Sequence, residues 1–235
     1  MPTGKIQKRF RGVQVLIFDL DGTLIDSKLD LALSVNAARA QSHLAPLDHE
    51  EIFSYVGQGA PMLIRGSLGA EASDSDVERA LAYFLDYYRA HMLDHTVPYP
   101  GVREGLDLLS GRAMVVLTNK PVRFSRAILE GLGLAHHFRY VYGGNSFERK
   151  KPDPMGVEVL LRDLEAAPQE AMIVGDSEID VLTARNSGTW SCGVTYGLGS
   201  KRLAEYCPDL LVGSLIELAA HVNDETALDA PSPPP

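Results

Sequence analysis

Residues 13–23 read VQVLIFDLDGT. The first six form a nearly continuous apolar run rich in β-branched residues, and the run stops at a carboxylate-rich turn containing Gly22. A short apolar run without alternation is the pattern of a strand buried on both faces. Residues 113–117 (AMVVL), 171–174 (AMIV) and 190–194 (WSCGV) repeat it, and residues 210–212 repeat it more weakly. Helical patterns separate these runs at 122–130, 155–163 and 179–186, the last closed by Ser187-Gly188. Strands alternating with helices predict an α/β fold built on a mostly parallel sheet covered on both faces.

Residues 29–92 have a different texture. They contain no strand pattern but four helical ones: Leu29, Leu33, Asn36, Ala37 and Ala40 on one helix, then residues 51–55, 60–68 and 76–92. The third is entered through Gly57-Gln58-Gly59. This predicts a small helical unit at 28–94 inserted into a discontinuous α/β unit formed by 1–27 and 95–223. The chain returns through the proline-bearing stretch 95–101. Residues 224–235, polar and ending in APSPPP, have too little apolar material to pack and are expected to form a disordered tail. No internal repeat is evident.

The chain has 235 residues, a hydrophobic fraction of 45% and a net charge of -9. That length is enough for a sizeable core. The negative balance argues against partners such as nucleic acid or an anionic membrane surface. The basic start, MPTGKIQKRFRG, lacks the apolar centre of a signal peptide. No apolar run approaches the ~20 residues that span a bilayer. A cytoplasmic protein acting on a soluble metabolite is expected. Cys192 and Cys207 fit no zinc or redox spacing and read as two thiols. The histidines at 91, 95, 136 and 137 show no metal spacing, and the tyrosine-rich segment 83–88 and Trp190 read as packing.

Four short strings carry chemistry. Asp19-Leu20-Asp21-Gly22-Thr23 follows the first strand, at the edge where open α/β sheets bind ligands. Two carboxylates two residues apart on an extended chain point to the same side. One can attack phosphorus while the other handles protons. Thr118-Asn119-Lys120 follows the strand at 113–117, where a hydroxyl and an amide can bond phosphoryl oxygens or simply cap a turn. Lys150-Lys151-Pro152-Asp153-Pro154 opens a helix with a lysine that could neutralise a phosphoryl group. Gly175-Asp176-Ser177-Glu178-Ile179-Asp180 places Asp176 at a strand end like Asp19. Two such carboxylates suit a hard, oxygen-liganded ion such as magnesium. Asp180, one turn further on, could hold Lys151 or a metal-bound water, with Ser177 between.

In this order the strings resemble the four motifs of the haloacid dehalogenase (HAD) superfamily, and the resemblance runs over residues 13–221. DLDGTLIDS, VGQGA, HTVPYPGV, LTNKP, KPDP and GDSEID are its supporting strings, and within the superfamily they are most similar to phosphoglycolate phosphatases. Gln58 stands where Asn is more usual. The resemblance implies a Rossmann-like parallel-sheet core with an inserted helical cap. It implies Asp19 as nucleophile and Asp21 as general acid and base, with Thr118, Asn119 and Lys151 on the phosphoryl oxygens. Magnesium would be held by Asp19, Asp176 and the main-chain carbonyl of Asp21. The expected reaction is hydrolysis of a small phosphate monoester, foremost 2-phosphoglycolate, through a phospho-aspartate. Gly57, Gln58, Gly59 and Arg65 are expected to face the substrate from the cap, with Arg65 pairing its carboxylate.

Other readings stay open on the sequence: a phosphatase of sugar phosphates, nucleotides or pyrophosphate, a phosphomutase, or a non-catalytic phosphate-binding module. A phosphonate hydrolase would need a cap lysine, and Lys28 on the entry linker is the nearest. A dehalogenase would leave Asp21 without a role. Monomer and homodimer are both compatible.

Overall fold

The computed structural model describes Phe10 and residues 12–223, so the tail expected at 224–235 lies outside the described residues. In chain order the strands are β1 (Val15–Phe18), β2 (Ile25–Asp26), β3 (Val97–Pro98), β4 (Ala113–Leu117), β5 (Tyr140–Tyr142), β6 (Ala171–Gly175), β7 (Trp190–Val194) and β8 (Leu210–Val212). Six of them form one sheet in the order β5-β4-β1-β6-β7-β8, with every neighbouring pair parallel. The chain first builds outward from β1 through β4 to β5. It then crosses back to β6 and builds the other way, which opens a crevice at the carboxyl ends beside β1.

All four residues of β1 are buried, as the apolar run predicts. Their side chains alternate between two cores. Leu16 and Phe18 join Met114, Val116, Met172 and Val174 on one face, and Val15 and Ile17 join Val115, Leu117 and Ile173 on the other. Ten α-helices among the described residues cover the sheet or form the insertion: α1 (Lys28–Gln41), α2 (His49–Phe53), α3 (Ala60–Leu68), α4 (Asp74–His91), α5 (Val102–Leu108), α6 (Val122–Gly131), α7 (Met155–Asp163), α8 (Glu178–Ser187), α9 (Ser200–Leu203) and α10 (Leu215–Val222). The second face is closed by Val157, Leu160 and Leu161 of α7 and Ala184 of α8. The first is closed by α5, α6 and α10.

The four patterned helices at 60–68, 122–130, 155–163 and 179–186 appear within a residue of their expected bounds. By contrast, α4 starts two residues earlier than expected, because Ser73 and Asp76 form a capping box in front of Asp74. Helices α5 and α10 carry no strong pattern. They form through mutual packing at Gly105, where a Cβ would stand 2.4 Å from that of Leu215. Strand β5 was not anticipated either: YVY is three half-buried residues paired on one side only. No helix among the described residues is long and apolar enough to cross a membrane. Cys192 is buried, Cys207 is exposed, and no disulfide joins them.

The helices α1–α4 occupy the chain between β2 and β3. These two strands are antiparallel to each other, with Ile25 opposite Pro98 and Asp26 opposite Val97, so the outgoing and returning segments are clamped side by side. A second clamp lies one step further on. Asp30 of α1 is 1% exposed and accepts hydrogen bonds from the main-chain N–H of His95 and of Thr96, and from the Thr96 hydroxyl at 2.8 Å. The His95 ring lies on the same carboxylate, with Nδ1 at 2.8 Å. His95 is thus a structural residue, in keeping with the sequence.

Burial pushes the Asp30 carboxyl up, but the hydrogen bonds from His95 and Thr96 outweigh it and hold the group below its ordinary value. A depressed carboxyl contributes stability that is fully present above the unfolded-state value and is lost as pH falls through the folded one. Asp30→Asn is expected to cost about 1–2 kcal/mol at pH 7. In urea unfolding, the gap to wild type should narrow below about pH 4. A gap of the same size at pH 7 and pH 3 would contradict this account.

Candidate active site

The parallel register brings the chemical strings together. Phe18 pairs with Val116 on one side and Val174 on the other, so Asp19, Thr118 and Asp176 emerge at one edge of the sheet. The Asp19 N–H donates to the Val174 carbonyl at 2.9 Å, which holds the loop to the strand end. The chain then turns at Gly22, whose φ is 84°. A Cβ there would stand 2.2 Å from Asp176 Oδ2, so glycine allows the first loop to touch Asp176.

Lys151, 6% exposed, reaches this edge from the start of the segment leading into α7. Its ammonium lies 2.6 Å from Asp180 Oδ1 and 3.0 Å from Asp19 Oδ1. The other Asp180 oxygen accepts from the Ser177 N–H at 3.2 Å and hydroxyl at 2.7 Å, capping α8. Asp176 is 3% exposed and accepts from the Gly199 N–H at 2.8 Å. Burial works against the Lys151 charge, but Asp180 and Asp19 outweigh it and hold the ammonium above the ordinary lysine value. One ammonium serves two carboxylates, so Asp19 remains under-compensated and burial pushes its carboxyl up to about 6. Burial, reinforced by Asp180 and Asp19, pushes Asp176 up to about 8.

Asp19, Asp176 and Asp180 each offer an oxygen within 4.8 Å of the others. Three carboxylates facing one ammonium leave an excess of buried negative charge, which is costly unless a cation joins it. An all-oxygen donor set of this kind fits a hard divalent ion. The carboxylate of Asp21 lies outside the group. It accepts from the Ser27 hydroxyl and, through both oxygens, from Lys120 Nζ at 3.1 Å.

The same edge opens into a cleft of about 350 Å³. Its polar end holds Asp19, Asp21, Thr118, Asn119, Lys120 and Asp176, and Phe84 and Tyr88 of α4 face it with Phe124 of α6. Gly57, Gln58 and Gly59 line it from the insertion. Gly59, at φ 89°, lets this loop approach the Asn119 carbonyl, which a Cβ would meet at 3.0 Å. The Lys150 ammonium donates to the Gln58 carbonyl.

Two of the expected side chains are engaged elsewhere in this structure. Arg65 does not line the cleft. Its guanidinium donates to the Ala72 carbonyl at 2.9 Å and pairs with the exposed carboxylate of Asp74, because α3 turns that face toward the α3–α4 connection. The side-chain N–H groups of Asn119 are likewise committed elsewhere, donating at 3.0 Å to the carbonyls of Gly57 and of Lys151. Asn119 therefore ties the β4 loop to the insertion and to the lysine loop, and its amide has no N–H left for a phosphoryl oxygen. Thr118 is buried at the cleft, with Oγ1 accepting from the Lys120 N–H at 3.3 Å. Lys28 pairs with Asp26 at 3.3 Å and is not among the cleft residues.

Sequence reasoning passed over Lys120, Ser27 and the Gly199 loop. Lys120 and Ser27 both stand inside quoted strings, LTNKP and DLDGTLIDS, but nothing in a string says that two of its side chains will share one carboxylate.

The profile of the haloacid dehalogenase-like hydrolase family matches residues 16–194. The chain is 40% identical over 212 residues to a phosphoglycolate phosphatase of Chromobacterium violaceum, covering 88% of this chain and 95% of that one. It is 35% identical over 235 residues to a phosphoglycolate phosphatase of Pseudomonas fluorescens, covering 93% and 86%. A crystal structure from Haemophilus somnus, described as a predicted phosphoglycolate phosphatase, matches it with a TM-score of 0.84 at 29% identity, over 88% of this chain and 96% of that one.

Removing Lys151 strands two carboxylates that are largely out of water. Lys151→Met is expected to lower stability by about 3 kcal/mol in metal-free buffer, measured by urea unfolding. Adding Asp180→Asn should recover part of that loss, since the pair is coupled. Stability within about 0.5 kcal/mol of wild type in the single variant would reject the shared-ammonium geometry.

Proposed function

The chain belongs to the haloacid dehalogenase-like hydrolase family and is a phosphatase; from there we propose that it hydrolyses a small phosphate monoester, 2-phosphoglycolate, to glycolate and inorganic phosphate with magnesium as its metal. The observation that carries this is the pairing of two carboxylates of different surroundings on one loop. Asp19 faces Lys151 and the acidic group, whereas Asp21 faces Lys120 and Ser27. Two such carboxylates suit a nucleophile and a proton carrier.

Asp19 attacks phosphorus in line with the ester oxygen, forming an Asp19 acyl phosphate as the phosphorus–ester bond breaks. Asp21 gives its proton to the leaving alkoxide, releasing the alcohol. In the second half, Asp21 takes a proton from the incoming water, whose oxygen bonds to phosphorus and returns Asp19 as a carboxylate. Thr118 and Lys151 bear on the equatorial oxygens, where charge accumulates. Asn119 holds the loops that carry them and is a positioning residue. Asp19, Asp176 and the Asp21 carbonyl would hold the divalent ion, with Asp180 and Ser177 behind Lys151. That ion supplies charge neutralisation and polarisation at phosphorus.

Residues 28–94 act as a cap over a core of 1–27 and 95–223, with Gly57, Gln58 and Gly59 facing the substrate and excluding water. The protein works in the cytoplasm on a soluble metabolite. Support for the substrate comes from relatives named phosphoglycolate phosphatase that match most of the chain. One observation favours a second substrate class: a cleft of about 350 Å³ walled by Phe84, Tyr88 and Phe124 has room for a larger, partly apolar alcohol.

Phosphate release from a panel of monoesters with magnesium tests both. We expect 2-phosphoglycolate to lead, Asp19→Asn to lower kcat by at least ~10³-fold, and chelation of divalent metal to abolish turnover. A bulkier ester in the lead would select the second class, and Asp19→Asn with substantial activity would end the nucleophile assignment. Arg65→Ala, which alters only the α3–α4 connection, should leave kcat/KM within about twofold; a larger fall would return Arg65 to the site.

A further inference from the structure

We propose that Lys120 reads the leaving group: its ammonium binds a carboxylate carried one carbon from the ester oxygen, and so selects phosphate esters of small 2-hydroxy acids over those of neutral alcohols. This rests on the phosphatase assignment above, with Asp21 at the ester oxygen.

Lys120 is the one lysine or arginine among the described residues lining the cleft. The neighbouring cations lie outside that lining, with Lys151 on Asp19 and Asp180, Lys150 on the Gln58 carbonyl and Arg65 on Ala72 and Asp74, whereas Lys120 faces the cleft while paired with Asp21. An anionic group entering the cleft beyond the phosphoryl site therefore meets Lys120.

Its position fits that task. The Lys120 nitrogen is 3.1 Å from both oxygens of Asp21, the group assigned to the ester oxygen. In the ester of a 2-hydroxy acid the carboxylate and the ester oxygen share one carbon. A cation in contact with Asp21 is thus within reach of that carboxylate when the ester oxygen meets Asp21. The surroundings sharpen the effect. Lys120 is 7% exposed, and its nitrogen lies 4.5 Å from the ring centroid of Tyr88. Phe84 and Phe124 stand beside Tyr88. In such a poorly solvated place a neutral leaving group leaves the cation without its substrate partner, and this discriminates more strongly than the same contact in water.

The test compares kcat/KM of the full chain with magnesium for 2-phosphoglycolate and for ethyl phosphate, an ester of similar size with no carboxylate. Lys120→Met removes the ion-pair partner of Asp21 and so lowers turnover of both esters, but it is expected to lower the value for 2-phosphoglycolate about 20-fold more than that for ethyl phosphate, with the difference mostly in KM. Lys120→Gln, which keeps a donor toward Asp21 but no charge, should give the same split, and it decides the matter if Lys120→Met does not fold. Lys120→Arg should restore part of the preference. Equal losses on both esters would show that Lys120 only positions Asp21, and no loss would remove it from the site; either overturns the proposal.

If wild type itself does not favour 2-phosphoglycolate over ethyl phosphate, the substrate assignment fails separately. The role of Lys120 then stands only if another ester of a 2-hydroxy acid, 2-phospholactate or 2-phosphoglycerate, shows the selective loss, and falls if neither does.

Discussion

Lys151 puts one positive charge between Asp19 and Asp180, 3.0 and 2.6 Å away, at the buried end of the central strand. Burying that many ionised groups is tolerable only while they compensate one another, and the surrounding structure follows from this need. Asp180 also caps α8 through Ser177, so the start of that helix and the position of Lys151 cannot shift independently. Gly175 is required next to it, since a Cβ there would fall 2.1 Å from Asp180 Cγ. The excess negative charge that remains on Asp19 and Asp176 is what a divalent cation would balance.

Two hydrogen bonds tie the 57–59 loop to this centre through main-chain carbonyls, beside the apolar packing of α1 and α4 on the sheet unit. Asn119 donates to the carbonyl of Gly57, and Lys150 to that of Gln58. Neither contact depends on the side chain at 58, so glutamine at that position leaves them intact. On the far side, Asp30 binds the N–H groups of His95 and Thr96, next to the short β2–β3 ladder. The helices are thus anchored where the chain leaves and re-enters the sheet, and Tyr88 of α4 packs edge-on against Phe124 of α6.

The contrast between Arg65 and Lys120 shows how little charge alone says about function. Both are cations near motif-bearing strings. Arg65 sits on a helix face where a long, flexible side chain finds the Ala72 carbonyl and the carboxylate of Asp74. Lys120 stands three residues after the end of β4, with Pro121 starting the path into α6, and its ammonium is held inside by Asp21 and the Tyr88 ring. Which cation meets the cleft was settled by the path of the backbone.

The amino-acid sequence by itself determined the α/β class, the strands β1, β4, β6, β7 and, more weakly, β8, the run of helices between β2 and β3 and the carboxylate strings at strand ends. Those features rest on local hydrophobic period and on glycine turns, which act over a few residues. The family is legible for the same reason, since its motifs are short strings attached to strands. Only the tertiary structure decided that Asp180 joins Asp19 and Asp176, that Asn119 serves the loops and that Lys120 faces Asp21. Only it decided β5, α5 and α10, whose short segments form because a neighbour covers them. Each of these joins residues far apart in the chain, where pairing depends on sheet order, register and burial, and no local pattern encodes those.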